Sequence, residues 1–508
     1  MSTKILSAAV VGLNCELVEV EADSINALPK FIVVGLPDMA VQESRQRVRS
    51  AVKNSGFPWP RGQVTVNLAP ADLKKAGPAY DLPIALAILI AGHSLVLPAD
   101  YSDALFVGEL ALDGHLRPVN GVLPLAIMAR DKAIKKIFVP IENAAEAALI
   151  TDLEVYPATS LTEVVLHLTG EAPIGQFQKS EILSESPSDI PSKFDMAYVQ
   201  GQEHVKRALE IAAAGQHNIL MSGPPGSGKT LLARSMPTIL PEMTLEESLE
   251  VTKIYSVAGL LPPAEPLIRI RPFRSPHHTA SGVSLVGGGA WPKPGEISLA
   301  HRGVLFLDEF PEFPRLVLDY LRQPLEDGII NISRAAGTLQ FPAKFILLAS
   351  MNPCPCGYYS DPEKNCTCTP IQIANYQKKI SGPILDRIDI HIEVPRIDFQ
   401  KLSATESGEP SAAIRARVNA ARSRQLMRFQ NTKLVSNAEM SSEDVRRICQ
   451  TDAATQDLLK RAVQQMRLSA RGYYRILKLA RTIADLSAAE NIKTEHVAEA
   501  LQYRPKVE

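Results

Sequence analysis

The stretch GPPGSGKT at 223–230 places three glycines, a lysine and a hydroxyl amino acid in one short loop. An apolar run at 219–221 precedes it and a helical pattern (Leu231, Leu232, Ala233) follows, so the loop joins a strand to a helix. Along Gly223, Pro224, Pro225, Gly226, Ser227 and Gly228 the backbone N–H groups can curl inward around phosphate oxygens, where a Cβ at the glycines would obstruct. Lys229 then reaches the β- and γ-phosphates, and the Thr230 hydroxyl can ligate Mg²⁺. The chemistry this predicts is binding of ATP with Mg²⁺.

Two further strand ends carry polar groups suited to the same nucleotide. The run VLFL at 304–307 ends in Asp308, which can hold Mg²⁺ through water, and Glu309, which can orient and polarise the attacking water. Two acids at a strand end are more often merely solvated; downstream of a phosphate loop the catalytic reading is preferred. FILLASMN at 345–352 ends in Asn352, and ligands of open α/β sheets sit beyond the carboxyl ends of the strands.

Two residues later come Cys354, Cys356, Cys366 and Cys368, two CxC pairs separated by nine residues. Four thiolates so close can complete a tetrahedral Zn²⁺ site with Zn–S distances of about 2.3 Å. The intervening GYYSDPEKN has few apolar anchors, so a metal would supply order that the loop lacks. Two disulfides are the competing structure, disfavoured in a reducing cytosol.

The elements that must position these groups follow from the rest of the chain. Its 508 residues suggest about three domains at roughly 100 to 200 residues each. With 45% hydrophobic and 21% charged residues the composition is that of an ordinary soluble globular protein. A net charge of −1 gives no global case for nucleic acid, so any such binding must come from a local patch. MSTKILSAAVVGL reads as a first strand and not a signal peptide. The apolar run at 82–91 is too short to cross a bilayer, which takes about twenty residues, so a cytoplasmic protein with no membrane partner is expected.

Residues 1–168 alternate strand-like runs (31–34, 64–68, 105–110, 136–139) with helical ones (40–54, 81–91, 123–132), an α/β or α+β domain. A polar linker is expected at 169–193, the nucleotide-binding core at 194–396, a basic helical connector at 397–436 and a helical lid at 437–508. Within the core, 329–345 reads as a hairpin around Ala336 and Gly337 with Arg334 near its tip. In the connector, Arg415, Arg417, Arg422, Arg424 and Arg428 lie on a helical stretch without an acid. It is either a DNA-binding face or a solvated or subunit-facing helix, the second being preferred.

KKAGPAYDLPIALAIL (74–89), VGELALDGHLRPVNGV (107–122) and IFVPIEN (137–143) resemble the proteolytic domain of the Lon family and the related domain of RadA-type proteins, a ribosomal S5 domain 2-like fold. The Lon serine position falls on Ala79, and Leu123 and Leu125 stand where lysines are expected. A Ser–Lys dyad needs a hydroxyl and an amine, so this domain is expected to be non-proteolytic.

RPFRSPHHTASGVSLVGGG (271–289), PGEISLAHRGVLFLDEFPEF (294–313) and SARGYYRILKLARTIADL (469–486) resemble the Mg-chelatase-related AAA+ proteins. With the Lon-like domain, the whole chain is similar to the ComM (YifB) group. The resemblance implies an AAA+ P-loop ATPase core with a helical lid, assembled as a homo-oligomer, a hexamer. Asn352 then takes the sensor-1 position, Arg387 that of an arginine finger reaching the neighbour's γ-phosphate, and Arg471 that of sensor 2. Arg334 on a pre-sensor hairpin, and Lys293 in the insertion 287–295, become pore residues gripping single-stranded or branched DNA. ComM is a DNA helicase that promotes branch migration in natural transformation, so a recombination motor is expected. The alternative is a protein-remodelling or metal-insertion ATPase, as the Mg-chelatase relatives suggest.

Overall fold

In the computed structural model, which describes residues 4–178, 192–262, 265–289, 292–334, 337–359, 361, 363–396 and 408–505, the chain opens with an antiparallel ribbon. Lys4–Val11 (β1) pairs with Asn14–Ile25 (β2) around a turn in which Gly12 has φ +64°. Lys30–Val34 (β3), Gln63–Ala69 (β4) and Leu105–Phe106 (β5) follow. Glu109–Leu110 (β6) and Leu116–Arg117 (β7) make a separate small ribbon. Lys136–Pro140 (β8) and Glu154–Ala158 (β9) complete a seven-stranded sheet in the order β3-β4-β2-β1-β5-β8-β9. The single strand expected at 105–110 is broken at Gly108. Its N–H turns away to the Ala79 carbonyl at 3.0 Å, and a Cβ there would lie 2.7 Å from the Leu116 side chain.

Contacts group Met1–Ser186, Ser248–Ile268 and Ala335–Gln340 into one compact unit. Side chains alternate across its sheet: Ile5, Ala9, Phe106 and Phe138 enter one apolar cluster, and Ala8, Leu105, Ile137 and Val139 the other. The helix Asp81–Ala91 is apolar nearly all round and buried accordingly. Its first carboxylate, Asp81, is held by Arg47 at 2.8 Å; burial pushes the carboxyl up to about 6 and Arg47 opposes that rise. Ala79, Leu123 and Leu125 share the second apolar cluster with Leu249 and Leu267. Beside them the buried Glu146 accepts the Leu123 N–H at 2.7 Å and the Ser256 hydroxyl. The Lon dyad positions are therefore packed with methyl groups.

The other unit comprises Pro187–Glu247, Arg269–Arg334 and Phe341–Glu508. Its strands are Ile219–Ser222 (β10), Phe273–Arg274 (β11), Gly287–Gly288 (β12), Lys293–Pro294 (β13), Val304–Leu307 (β14), Ile329–Arg334 (β15), Ile346–Met351 (β17) and Ile390–Glu393 (β18), while Gly337–Pro342 (β16) is divided between the two units. Five form a sheet in the order β11-β14-β17-β10-β18, parallel throughout. All residues of β14 and β17 are buried, at roughly 1.5–3 kcal/mol for each large apolar side chain. That burial fixes the strand ends from which the polar groups project. β12 with β13 and β15 with β16 are separate two-stranded ribbons, so the expected hairpin is present.

The helical lid contains Ala453–Gln465, Ala470–Leu486 and Thr494–Gln502. Most of the arginines on the connector helix Ser411–Arg428 are spent inside this unit. Arg417 pairs with Glu210 and Glu409, the buried Arg422 donates to the Val435 and Ala213 carbonyls, Arg424 donates to the Asp485 carbonyl, and Arg428 pairs with the Asp485 carboxylate. Arg424 and Arg428 thereby fasten the lid, and Arg417 and Arg422 hold the connector to the core. Among the described residues no helix is long and apolar enough to cross a membrane.

Candidate nucleotide-binding site

The loop 223–230 sits at the carboxyl edge of the parallel sheet, between β10 and the helix Lys229–Ile239. Gly226 and Gly228 have φ +77° and +88°, which L side chains rarely adopt, and a Cβ built on either would meet nothing within 4 Å. The space above the loop is thus open where phosphate oxygens would sit, at the start of an eleven-residue helix whose N–H groups favour anions. The Ser227 hydroxyl is buried there without a hydrogen-bond partner among the described residues. Gly223 is needed for close approach: a Cβ would fall 2.1 Å from the Val394 carbonyl oxygen.

Lys229 is only 9% exposed, and its ammonium donates to the carbonyls of Gly223 (2.7 Å) and Pro224 (2.9 Å) and to Asn352 Oδ1 (3.3 Å). Burial brings it down to about 8, against the pull of the Asp308 carboxylate. A bound triphosphate favours the ammonium, so above that pH binding must take up a proton. ATP affinity is expected to be flat below pH about 8 and to weaken above it by up to about tenfold per pH unit. Fluorescent-nucleotide titrations across that range check this, and Lys229→Arg should remove the dependence.

The Thr230 hydroxyl donates to Asp308 Oδ2 at 3.0 Å. The register that pairs Leu307 with Ala349 sets Asp308 beside Ser350, whose hydroxyl donates to Oδ1 of the same carboxylate. Asn352 follows Ser350 by two residues, just past the end of β17, and its Oδ1 meets Lys229. Glu309 adopts a left-handed backbone with φ +51°, and His278 Nδ1 lies 3.2 Å from its Oε2. The His277 and His278 rings lie against each other, centroids 4.1 Å apart and planes tilted by 33°. Sequence alone marks neither Ser350 nor His278; the PHH of 276–278 is visible there, but its partner Glu309 is distant in the chain.

Arg387 and Arg471 converge elsewhere. Both guanidinium groups grip Glu326, Arg471 at 2.7 Å and Arg387 more closely, and Arg387 also donates to the Pro383 carbonyl at 2.7 Å. Among the described residues their charged partner is Glu326 and not the phosphate loop. Arg475 instead joins the buried Asp389 at 3.0 Å; the carboxyl is pulled below its ordinary value by Arg475 and His217 despite burial. Lys293 is exposed on β13, and the Arg334 side chain lies outside the described residues.

The four cysteine Sγ atoms all lie within 4.8 Å of one another. Cys354 to Cys356 is 3.4 Å, Cys354 to Cys366 is 3.7 Å and Cys356 to Cys366 is 3.6 Å. A tetrahedron with Zn–S bonds of about 2.3 Å has edges of about 3.8 Å, so the set is spaced for one small ion.

Magnesium chelatase subunit ChlI family models match residues 20–143 and 195–402, and the ChlI C-terminal model matches 408–504. Competence protein ComM of Haemophilus influenzae is 46% identical over 506 residues, spanning 99% of this chain and 97% of that protein. The chain belongs to the ComM/YifB group of magnesium-chelatase-like proteins. Escherichia coli YifB is 44% identical over 501 residues, covering 98% of this chain and 96% of its own. The magnesium-chelatase 38 kDa subunit of Rhodobacter capsulatus is 27% identical over 178 residues, covering 32% of this chain and 50% of that protein. For a ComM/YifB protein the parallel sheet is an AAA+ P-loop core and ATPase activity is indicated, with ATP and Mg²⁺ as its ligands.

Proposed function

We propose that this ComM/YifB protein is an ATP-driven motor working as a hexamer on single-stranded or branched DNA, in helicase or branch-migration steps of recombination such as natural transformation. The observation that most supports it is the division of the nucleotide chemistry. Lys229, Thr230, Asp308, Glu309 and Asn352 converge on one loop, while Arg387 and Arg471 are held together on Glu326. Phosphoryl transfer needs positive charge on the transferring group, so a second copy would complete each site.

In this reading Lys229 and the loop amides hold the triphosphate, Glu309 orients water and Asn352 keeps Lys229 aligned. Arg387 of one subunit and, beside it, Arg471 compensate charge at the next. Thr230 and Asp308 would hold Mg²⁺, which neutralises phosphate charge when bound. Cys354, Cys356, Cys366 and Cys368 would hold Zn²⁺, which crosslinks the loop. A cytoplasmic setting suits this chemistry, since ATP and reduced thiols are available there. The domain at 1–168 serves as a non-proteolytic guide or assembly element, ahead of the core at 194–396 and the lid at 437–508.

DNA would be gripped by Arg334 and Lys293. A ring multiplies each basic residue by the subunit number, so a nearly neutral chain can still bind phosphates. Arg334→Ala is expected to weaken DNA binding and junction processing, and to lower the salt dependence of binding, while ATP hydrolysis without DNA changes little. Purified protein with ATP and a synthetic four-way junction, with Glu309→Gln as control, is the test. Undiminished processing by Arg334→Ala removes the pore assignment. Vigorous ATP hydrolysis with no processing by the parent favours the second reading, a protein-remodelling or metal-insertion motor, which the chelatase family match supports.

A further inference from the structure

The cysteine loop begins at the sheet edge from which the nucleotide is held, and its first turn lies against the phosphate loop. The Gly223 N–H donates to the Met351 carbonyl at 3.2 Å, and Asn352 Oδ1 receives Lys229 at 3.3 Å. Gly357, at φ +86°, is so close to Pro225 that a Cβ would lie 2.6 Å from its ring. Residues 351–357 therefore touch the phosphate loop near its start, at its middle and at its lysine.

Met351 is held by the sheet and Asn352 by Lys229, and beyond them the turn is tied to the cysteine cluster. Cys354 is fully buried, and its Sγ accepts the Tyr359 N–H at 3.3 Å. Cys368 Sγ accepts the Cys356 N–H at 3.4 Å, which ties the second CxC pair to the first. Otherwise the turn is secured by the Gly357 N–H to the Cys354 carbonyl at 3.0 Å and by Gln377 to the Pro353 carbonyl at 3.4 Å. Further along, Arg396 pairs with Glu363 at 2.6 Å. Hydrogen bonds to sulfur are weak, and four uncompensated thiolates at these separations would repel one another. A divalent cation turns that repulsion into four bonds.

We propose that the four cysteines hold one Zn²⁺ whose purpose is to clamp residues 351–357 against the phosphate loop, so that metal occupancy sets nucleotide affinity. This rests on the zinc and nucleotide readings above and gives the metal a task beyond ordering its own loop. Gly357 is the transmitting contact: it has no metal-ligating group, yet it is the point where the clamped turn meets Pro225.

The test compares the parent with Cys366→Ser, which removes a ligand from the distal pair, and Gly357→Ala, which keeps all four thiolates. Bound metal is measured by mass spectrometry, nucleotide affinity with a fluorescent ATP analogue, and folding by circular dichroism. The expected result is zinc in the parent, its loss in Cys366→Ser with nucleotide affinity weakened at least about tenfold, and retained zinc with similarly weakened affinity in Gly357→Ala. Chelation of the parent followed by zinc re-addition should lower and then restore affinity, which excludes a folding defect as the cause. A zinc-depleted parent that binds nucleotide as before overturns the clamp. Purified parent without metal overturns the zinc reading instead, and zinc-loaded parent that binds no ATP overturns the nucleotide reading.

Discussion

Glu309→Gln is expected to slow ATP turnover by roughly 10²- to 10⁴-fold while leaving nucleotide binding nearly unchanged. Glutamine preserves the shape of the side chain and the left-handed backbone that follows β14, but it loses the negative charge that polarises water. The residues proposed to hold the triphosphate, Lys229 and Thr230, touch Asn352 and Asp308 and not Glu309, so their geometry is spared. His278, 3.2 Å from Glu309, occupies one carboxylate oxygen, and that oxygen must be released or aligned as the attacking water arrives. Phosphate release measured beside fluorescent-nucleotide binding separates the two effects. A fall in turnover of less than about tenfold removes Glu309 from the role of base.

Arg387→Ala is expected to cost more, about 10³- to 10⁵-fold in turnover, the range found for arginines that reach a neighbouring site. Its own phosphate loop remains intact, so each subunit should still bind nucleotide. The side chain is 11% exposed in this chain and engaged by Glu326; reaching a neighbour requires exchanging that carboxylate for phosphate oxygens. Mixing provides a sharp check. A ring assembled from Arg387→Ala and Glu309→Gln subunits contains sites with an intact Glu309 from the first and an intact Arg387 from the second. Such mixtures should recover turnover that neither variant shows alone. If Arg387 acts within its own chain, mixing restores nothing.

The connector helix shows why charge patterns were harder to interpret than glycine loops. Five arginines without an acid in 411–430 left a DNA-binding face open, but their partners, Glu210 and Asp485 among them, lie far away in sequence. Charge on a helix specifies that a counter-charge is wanted, not where it will come from. The broken strand at Gly108 has a similar origin: the apolar residues 105–107 and Leu110 read as one strand, but Gly108 packs closely against Leu116 where the chain breaks.

By itself the sequence determined the elements and the groups whose chemistry is local. Apolar runs marked the strands that lead into Asp308 and Asn352 and the helix Asp81–Ala91, and contiguous spacing marked the phosphate loop and the CxC pairs. These are legible because a loop's amides, its lysine and a pair of thiols are brought together by a few bonds of chain. Tertiary structure alone decided the pairings across long separations: Ser350 with Asp308, His278 with Glu309, Gly357 with Pro225, and both arginines with Glu326. Those depend on strand register and packing, which the parallel sheet sets only when all five strands are in place.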